Sequence, residues 1–234
     1  MRETLIEVNK LSIWYDESKH IVEQASFEID RNEILALVGV NGAGKTTLIN
    51  TLTAIHSNFS IDSFSYNGKS SSFLDERFKL DRIAVYTQDE SFRYWSFNEY
   101  FKFMMQTYNV VPDLEYLDYL IDGFGFRQYT GYMKKDLSMG NKKKYALIAA
   151  FCLKRPLLIL DEPVDGLDFE STAFLYKVIK EYKAYGSIMM STHIVESINE
   201  VCDSYMILSG GKILPKESIQ GGVSIQDILN MVKG

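Results

Sequence analysis

Apolar and polar positions change period along this chain, and each change marks a different kind of element. Near the N-terminus they alternate: Ile6, Val8 and Leu11 on one stretch, then Ala25, Phe27 and Ile29 on the next. A period near two describes antiparallel strands. Ile34-Leu35-Ala36-Leu37-Val38 is continuously apolar and reads as a buried strand, and residues 45–54 read as a helix. Phe64-Ser65-Tyr66 followed by Asn67-Gly68 is a hairpin signal, and Ile83-Ala84-Val85-Tyr86 is a short buried strand. From about residue 97 to 152 the pattern is helical, with aromatics crowding its start: Phe92, Tyr94, Trp95, Phe97, Tyr100, Phe101 and Phe103. Strand character returns at residues 157–160, 187–190 and 205–208, with helices expected over 170–185 and 194–201. This order predicts an α/β nucleotide-binding core, an antiparallel N-terminal part and a helical insert at about 89–155. No internal repeat or linker interrupts the chain, so residues 1–234 are expected to form one domain.

Composition narrows the class. Hydrophobic residues make up 46% and charged residues 24%, as in an ordinary folded protein. The net charge of −6 gives no general argument for nucleic-acid binding. No apolar run reaches the roughly 18 residues of a membrane span. The longest candidate, residues 145–153, is cut off by Lys154-Arg155, and Met1-Arg2-Glu3-Thr4 has no signal-peptide core. Cys152 and Cys202 fall in predicted helices and read as buried, reduced thiols. The expectation is a soluble, cytoplasmic protein whose membrane role, if it has one, comes through a partner.

The chemistry begins at Gly39-Val40-Asn41-Gly42-Ala43-Gly44-Lys45-Thr46, which fits G-x-x-x-x-G-K-[ST] between a strand and a helix. The glycines let successive backbone N–H groups turn toward a phosphate, and the helix N-terminus adds its own free N–H groups. Lys45 supplies a point charge for the β- and γ-phosphates, and the Thr46 hydroxyl suits Mg²⁺. Leu157-Leu158-Ile159-Leu160 runs into Asp161-Glu162-Pro163, delivering carboxylates at the sheet edge where ligands bind. Asp161 can hold Mg²⁺ through its water shell, and Glu162 can orient and deprotonate an attacking water. His193 follows a strand at the same edge. A histidine there serves structure more often than catalysis, and its place near the γ-phosphate favours the second. Gln88 is by default a polar turn residue; after the strand at 83–86 it could instead touch Mg²⁺ and sense the γ-phosphate. Ser138, in Leu137-Ser138-Met139-Gly140-Asn141, is a plausible N-cap, giving a second phosphate-binding helix end. Lys142-Lys143-Lys144 reads as a solvated face, or alternatively as extra positive potential near the nucleotide.

Taken together these residues resemble the ATP-binding cassette (ABC) family, over almost the whole chain and in the family's order. Residues 39–46 match Walker A, Gln88 the Q-loop, and residues 137–141 the signature motif. Residues 157–162 match Walker B, Val164-Asp165-Gly166-Leu167-Asp168 the D-loop, and His193 the switch histidine. Tyr15 matches the aromatic that stacks on adenine, with Trp14 a competing neighbour. Two departures stand out. The usual signature LSGGQ has Met139 for its first glycine and Asn141 for its glutamine, and the D-loop has Val164-Asp165 where Thr-Ser or Thr-Asn is usual.

The resemblance implies an ATPase of P-loop fold with ATP and Mg²⁺ as cofactors. ATP would be held by Tyr15, by Gly39, Val40, Asn41, Gly42, Ala43, Gly44, Lys45 and Thr46, and by Thr47. Thr46, Gln88 and Asp161 would serve the metal; Glu162, His193, Gln88 and Lys45 would serve catalysis. Two cassettes would close head-to-tail, so that Ser138 and Gly140 reach the γ-phosphate of the second subunit and Asp168 couples the two sites. A separate transmembrane permease would be the other partner, docking near the aromatics after Gln88 with Glu99 at the groove edge. That makes the protein peripheral on the cytoplasmic face of the membrane. About two dozen residues after the last strand leave no room for a regulatory domain. The Leu-Ser-x-Gly-x-Lys-Lys form of the signature, with Asn50-Thr51-Leu52-Thr53 beside the P-loop, looks like two-component exporters of peptide antibiotics or bacteriocins. The alternative is a soluble ABC ATPase without transport, such as an iron–sulfur assembly scaffold subunit.

Overall fold

A computed structural model of the chain describes residues 3–16 and 19–219. Expectations resting on the two ends of the chain fall wholly or partly outside those residues. In chain order the strands and helices are β1 (Thr4–Asp16), β2 (Lys19–Asp30), β3 (Ile34–Val38), α1 (Lys45–Leu52), β4 (Phe59–Ser60), β5 (Ser63–Tyr66), β6 (Lys69–Ser70), α2 (Glu76–Leu80) and β7 (Arg82–Val85). There follow α3 (Phe97–Thr107), α4 (Leu114–Gly123), α5 (Met139–Leu153), β8 (Leu157–Asp161), α6 (Phe169–Tyr182), β9 (Ser187–Thr192), α7 (Val195–Val201), β10 (Ser204–Ser209), β11 (Lys212–Ile213) and β12 (Glu217–Ser218).

Two sheets result. One is antiparallel, in the order β2-β1-β5-β6 with β4 added to β1. Alternation in β1 slips by one residue between Val8 and Leu11. Lys10 absorbs the slip with φ +50°, a bulge residue that returns Leu11 to the buried face. Asn67 and Gly68, at φ +54° and +69°, close the β5–β6 hairpin as their pairing predicted. The other sheet runs β11-β10-β3-β9-β8-β7, parallel from β10 to β7.

That parallel sheet is covered on both faces, which is why the middles of its strands are continuously apolar. Leu35, Leu37, Leu157, Ile159 and Met189 pack toward the antiparallel sheet and α1. Ile34, Leu158, Leu160, Ile188 and Met190 pack toward α5 and α6. Helices α3, α4 and α5 lie in sequence between β7 and β8 and bury Phe97, Phe101, Phe124 and Phe126. The α/β class, the antiparallel part and the helical elements are therefore as the sequence predicts.

Several boundaries differ, each for a local reason. Helix α1 stops at Leu52, because Thr53 bonds back to Ile49 O and Ala54 turns to φ +62°. Helix α5 begins at Met139 because the Ser138 side chain caps it by accepting from Asn141 N. Helix α6 runs from Phe169 to Tyr182, capped by Asp168. Cys202 is not helical: it follows α7 in an extended conformation.

Candidate functional site

Strands β3, β9, β8 and β7 all end at one edge of the parallel sheet, and each delivers a polar group there. After β3 the loop turns through Gly42 (φ +82°) and Gly44 (φ +106°) into α1. No side chain caps α1, so its first N–H groups face the loop's concavity. A Cβ on Gly39 would lie 2.7 Å from Leu208 O of β10, so the loop packs too closely there for any side chain. Lys45, almost fully buried, turns its ammonium back to donate to Gly39 O at 2.8 Å.

Strand β8 carries Asp161 at its last position. Its two carboxylate oxygens are shared: Oδ2 accepts from Thr46 Oγ1 at 3.0 Å and Oδ1 from Ser191 Oγ at 2.6 Å. Glu162 comes next, with φ +45°, a left-handed conformation costing a non-glycine residue about 1–3 kcal/mol. Its N–H donates to Ser191 O and Oγ. The carboxylate then stands between two nitrogens, Lys45 Nζ at 3.2 Å and His193 Nδ1 at 3.0 Å. His193 itself directly follows β9. The parallel order puts β9 between β3 and β8, and Ser191 on β9 is the buried hydroxyl that holds the end of β8 through Asp161 Oδ1 and the Glu162 N–H.

A cleft of about 960 Å³ opens over this edge. Tyr15, Gly42, Gly44, Lys45, Thr46, Thr47, Gln88, Asp161 and Glu162 are among its lining. Tyr15 is 63% exposed, its hydroxyl 3.3 Å from Thr47 Oγ1 and its ring edge-on to His56. Trp14 points to the other face of the strand and pairs with His20, so of the two aromatics it is Tyr15 that borders the cleft. Thr46, Asp161 and Gln88 supply hydroxyl, carboxylate and amide oxygens, the hard donors that suit Mg²⁺.

Ser138, Gly140 and Asp168 do not line this cleft. A Cβ on Gly140 would lie 2.4 Å from Gly166 O, so the start of α5 sits directly on the loop after Glu162. Asp168 caps α6 through Ser171 N and pairs with Lys144. Those contacts, the Ser171 N–H first, hold its carboxyl well below the usual range.

The solvated-face reading of residues 142–144 fails for two of the three lysines. Lys143 and Lys144 are buried, the first against the carbonyls of Asp161 and Glu162 and the second on Asp168. Sequence reasoning also missed Ser191 as a site residue. Its signal was a serine directly after the apolar run Ile188-Met189-Met190 of β9.

The family model for ABC transporters matches residues 22–165, well over half of the chain. The chain belongs to the ABC transporter ATP-binding family. This ABC ATPase is 32% identical over 216 residues to a Bacillus subtilis (strain 168) protein named "Putative ABC transporter ATP-binding protein AlbC", covering 90% of each chain. It is 30% identical over 210 residues to the ABC transporter ATP-binding protein MJ1023 of Methanocaldococcus jannaschii, described as uncharacterized, covering 88% of this chain and 75% of that one. A solved structure described as the ATP-binding subunit of an ABC transporter matches with a TM-score of 0.87 at 28% identity, over 99% of this chain and 100% of that one. Among the described residues of the ABC ATPase, no helix is long and apolar enough to cross a membrane. Its family couples ATP hydrolysis to a transmembrane permease and works as a dimer.

Proposed function

We propose that this chain forms one half of a composite ATP site, hydrolyses Mg²⁺-ATP with Glu162 as base, and drives export through a separate permease. The observation that carries the reading is the Glu162 carboxylate, held between Lys45 and His193 at the edge of the cleft.

In this reading Tyr15 stacks on the adenine, and the loop through Gly39, Val40, Asn41, Gly42, Ala43 and Gly44 wraps the phosphates with Lys45, Thr46 and Thr47. Thr46, Asp161 and Gln88 would hold Mg²⁺, which, when bound, neutralises charge developing between the β- and γ-phosphates. Lys45 exchanges its contacts with Gly39 O and Glu162 Oε1 for phosphate oxygens. Glu162 Oε1 is then free to accept a proton from the attacking water, whose oxygen bonds to the γ-phosphorus as the bond from that phosphorus to its bridging oxygen breaks and ADP leaves. His193, bonded to Oε2, keeps the carboxylate aimed.

Ser138 and Gly140 lie away from this cleft, which supports their acting on the nucleotide of a second cassette, with Asp168 at the same interface. Residues 1–234 act as a single nucleotide-binding domain with the helices at about 89–155 as its insert. The exporter reading rests on the Leu-Ser-x-Gly-x-Lys-Lys signature, and a peptide or drug-like cargo on the same likeness. Tyr94, Trp95 and Phe103 remain exposed after Gln88 and suit the permease contact, while Glu99 is spent in a capping box with Ser96.

One experiment tests the catalytic part. Glu162→Gln should bind ATP, lose about 100-fold or more in turnover and accumulate as an ATP-bound dimer. Turnover at the wild-type rate removes Glu162 from the base role. Co-purification with a polytopic membrane protein of about six spans tests transport; a soluble assembly partner instead would sink it.

A further inference from the structure

Lys143 is a buried cation that the chemistry above does not use. It sits one turn into α5, the helix capped by Ser138, yet its ammonium crosses to the catalytic strand. Nζ lies 3.0 Å from Glu162 O, 3.3 Å from Asp161 O and 3.5 Å from Thr87 Oγ1. Thr87 Oγ1 in turn donates to Asp161 O at 2.7 Å. Thr87 adjoins Gln88, so one ammonium joins the signature helix, the end of β8 and the glutamine loop.

The position is a costly one for a lysine. Burial lowers the affinity of Lys143 for its proton, and the carboxylates of Asp161, Asp165 and Glu162 oppose that. What the cation gains is control of one peptide. Glu162 is left-handed, and its N–H is already fixed by Ser191. Lys143 fixes its C=O. With both flanking peptides tied, the Cα–Cβ direction of Glu162, and with it the aim of the carboxylate, is set from the backbone. A neutral apolar side chain of similar length would fill the space and leave that carbonyl without this donor.

We propose that Lys143 is a positioning residue for ATP hydrolysis: it locks the Glu162 peptide and makes the aim of the base depend on the seating of the signature helix. This rests on the reading of Glu162 as the base. The proposal concerns orientation, not nucleotide contact, since Lys143 is not among the residues lining the cleft.

The test uses the full chain. Lys143→Met should lower kcat about 10- to 100-fold while the dissociation constant for ATP moves less than about threefold. Lys143→Arg, which keeps a long cationic donor, should restore part of the loss. On a Glu162→Gln background the Lys143→Met change should cost little more, because the group it aims is already disabled. Lys143→Gln carries the same test if the methionine variant does not fold. A folded Lys143→Met with wild-type kcat overturns the proposal, as does an equal loss on the Glu162→Gln background. A slow Glu162→Gln beside a fast Lys143→Met overturns this proposal alone; a fast Glu162→Gln overturns the base assignment and this proposal with it.

Discussion

Lys45 Nζ lies 3.2 Å from Glu162 Oε1, with both side chains almost withdrawn from solvent. The glycine-rich loop after β3 and the carboxylate after β8 are thereby joined in one charge pair, across the intervening strand β9. Removing one partner of a buried pair leaves the other charge uncompensated. Lys45→Ala is thus expected to weaken ATP binding and to lower kcat about 100-fold or more. Equilibrium nucleotide titration and steady-state phosphate release measure both, and unchanged affinity and rate would falsify the P-loop assignment.

Ser191 should matter although it borders no phosphate. Its hydroxyl donates to Asp161 and receives the Glu162 N–H. Ser191→Ala removes a hydrogen bond to a charged group, a loss of about 1.5–3 kcal/mol. Chemical denaturation should show that loss together with slower turnover. Stability within error of wild type would mean that the strand end holds its shape without the hydroxyl.

Gly140 has no room for a side chain, with Gly166 O only 2.4 Å from where a Cβ would sit. Gly140→Ala should push the start of α5 off the loop after Glu162 and cost roughly 1–3 kcal/mol. The expected readout is a lowered midpoint of unfolding and reduced ATPase activity. Met139→Gly, by contrast, removes an exposed side chain that touches Gly166 and should leave the fold intact.

Asp168 caps α6, and its acidity is enhanced by that cap. A carboxyl with a depressed folded value contributes stability above its unfolded value and loses it as pH falls through the folded one. Asp168→Ala should cost about 1 kcal/mol at neutral pH. The gap from wild type should narrow below about pH 4, the ordinary carboxyl range. A gap constant down to acid pH would assign the effect to geometry alone.

Cys152 is buried in α5, and burial pushes its thiol up to about 12. The thiolate is the reactive form. In the native protein at neutral pH, iodoacetamide should leave Cys152 unmodified, and labelling should appear only with denaturant. Rapid native labelling, read by mass spectrometry, would contradict that burial.

The strands of the parallel sheet were legible because burial on both faces demands unbroken apolar runs, and Leu35, Ile159 and Met189 supply them. The glycine-rich loop after β3 was legible because Gly42 and Gly44 occupy positive φ, which few other residues tolerate. Helix ends were less so. The Ser138 cap of α5 could be read from the sequence, whereas α6, capped by Asp168, starts one residue before the expected 170 and ends at Tyr182, short of the expected 185. Lys143 and Lys144 look like surface residues by type, and a sequence gives no sign of the carbonyls and carboxylate that draw them inward.

By itself the sequence determined the α/β class, the glycine-rich loop after β3 and the order of the motifs, because local backbone demands and burial write directly into residue type. Only the tertiary structure decided which groups meet. Strand order sets β9 between β3 and β8, so Ser191 joins Asp161 to Glu162 while Lys45 and His193 grip one carboxylate. It also seats α5 so that Lys143 reaches the Glu162 carbonyl. Contacts between residues far apart in the chain depend on how layers pack, and no local pattern carries that information.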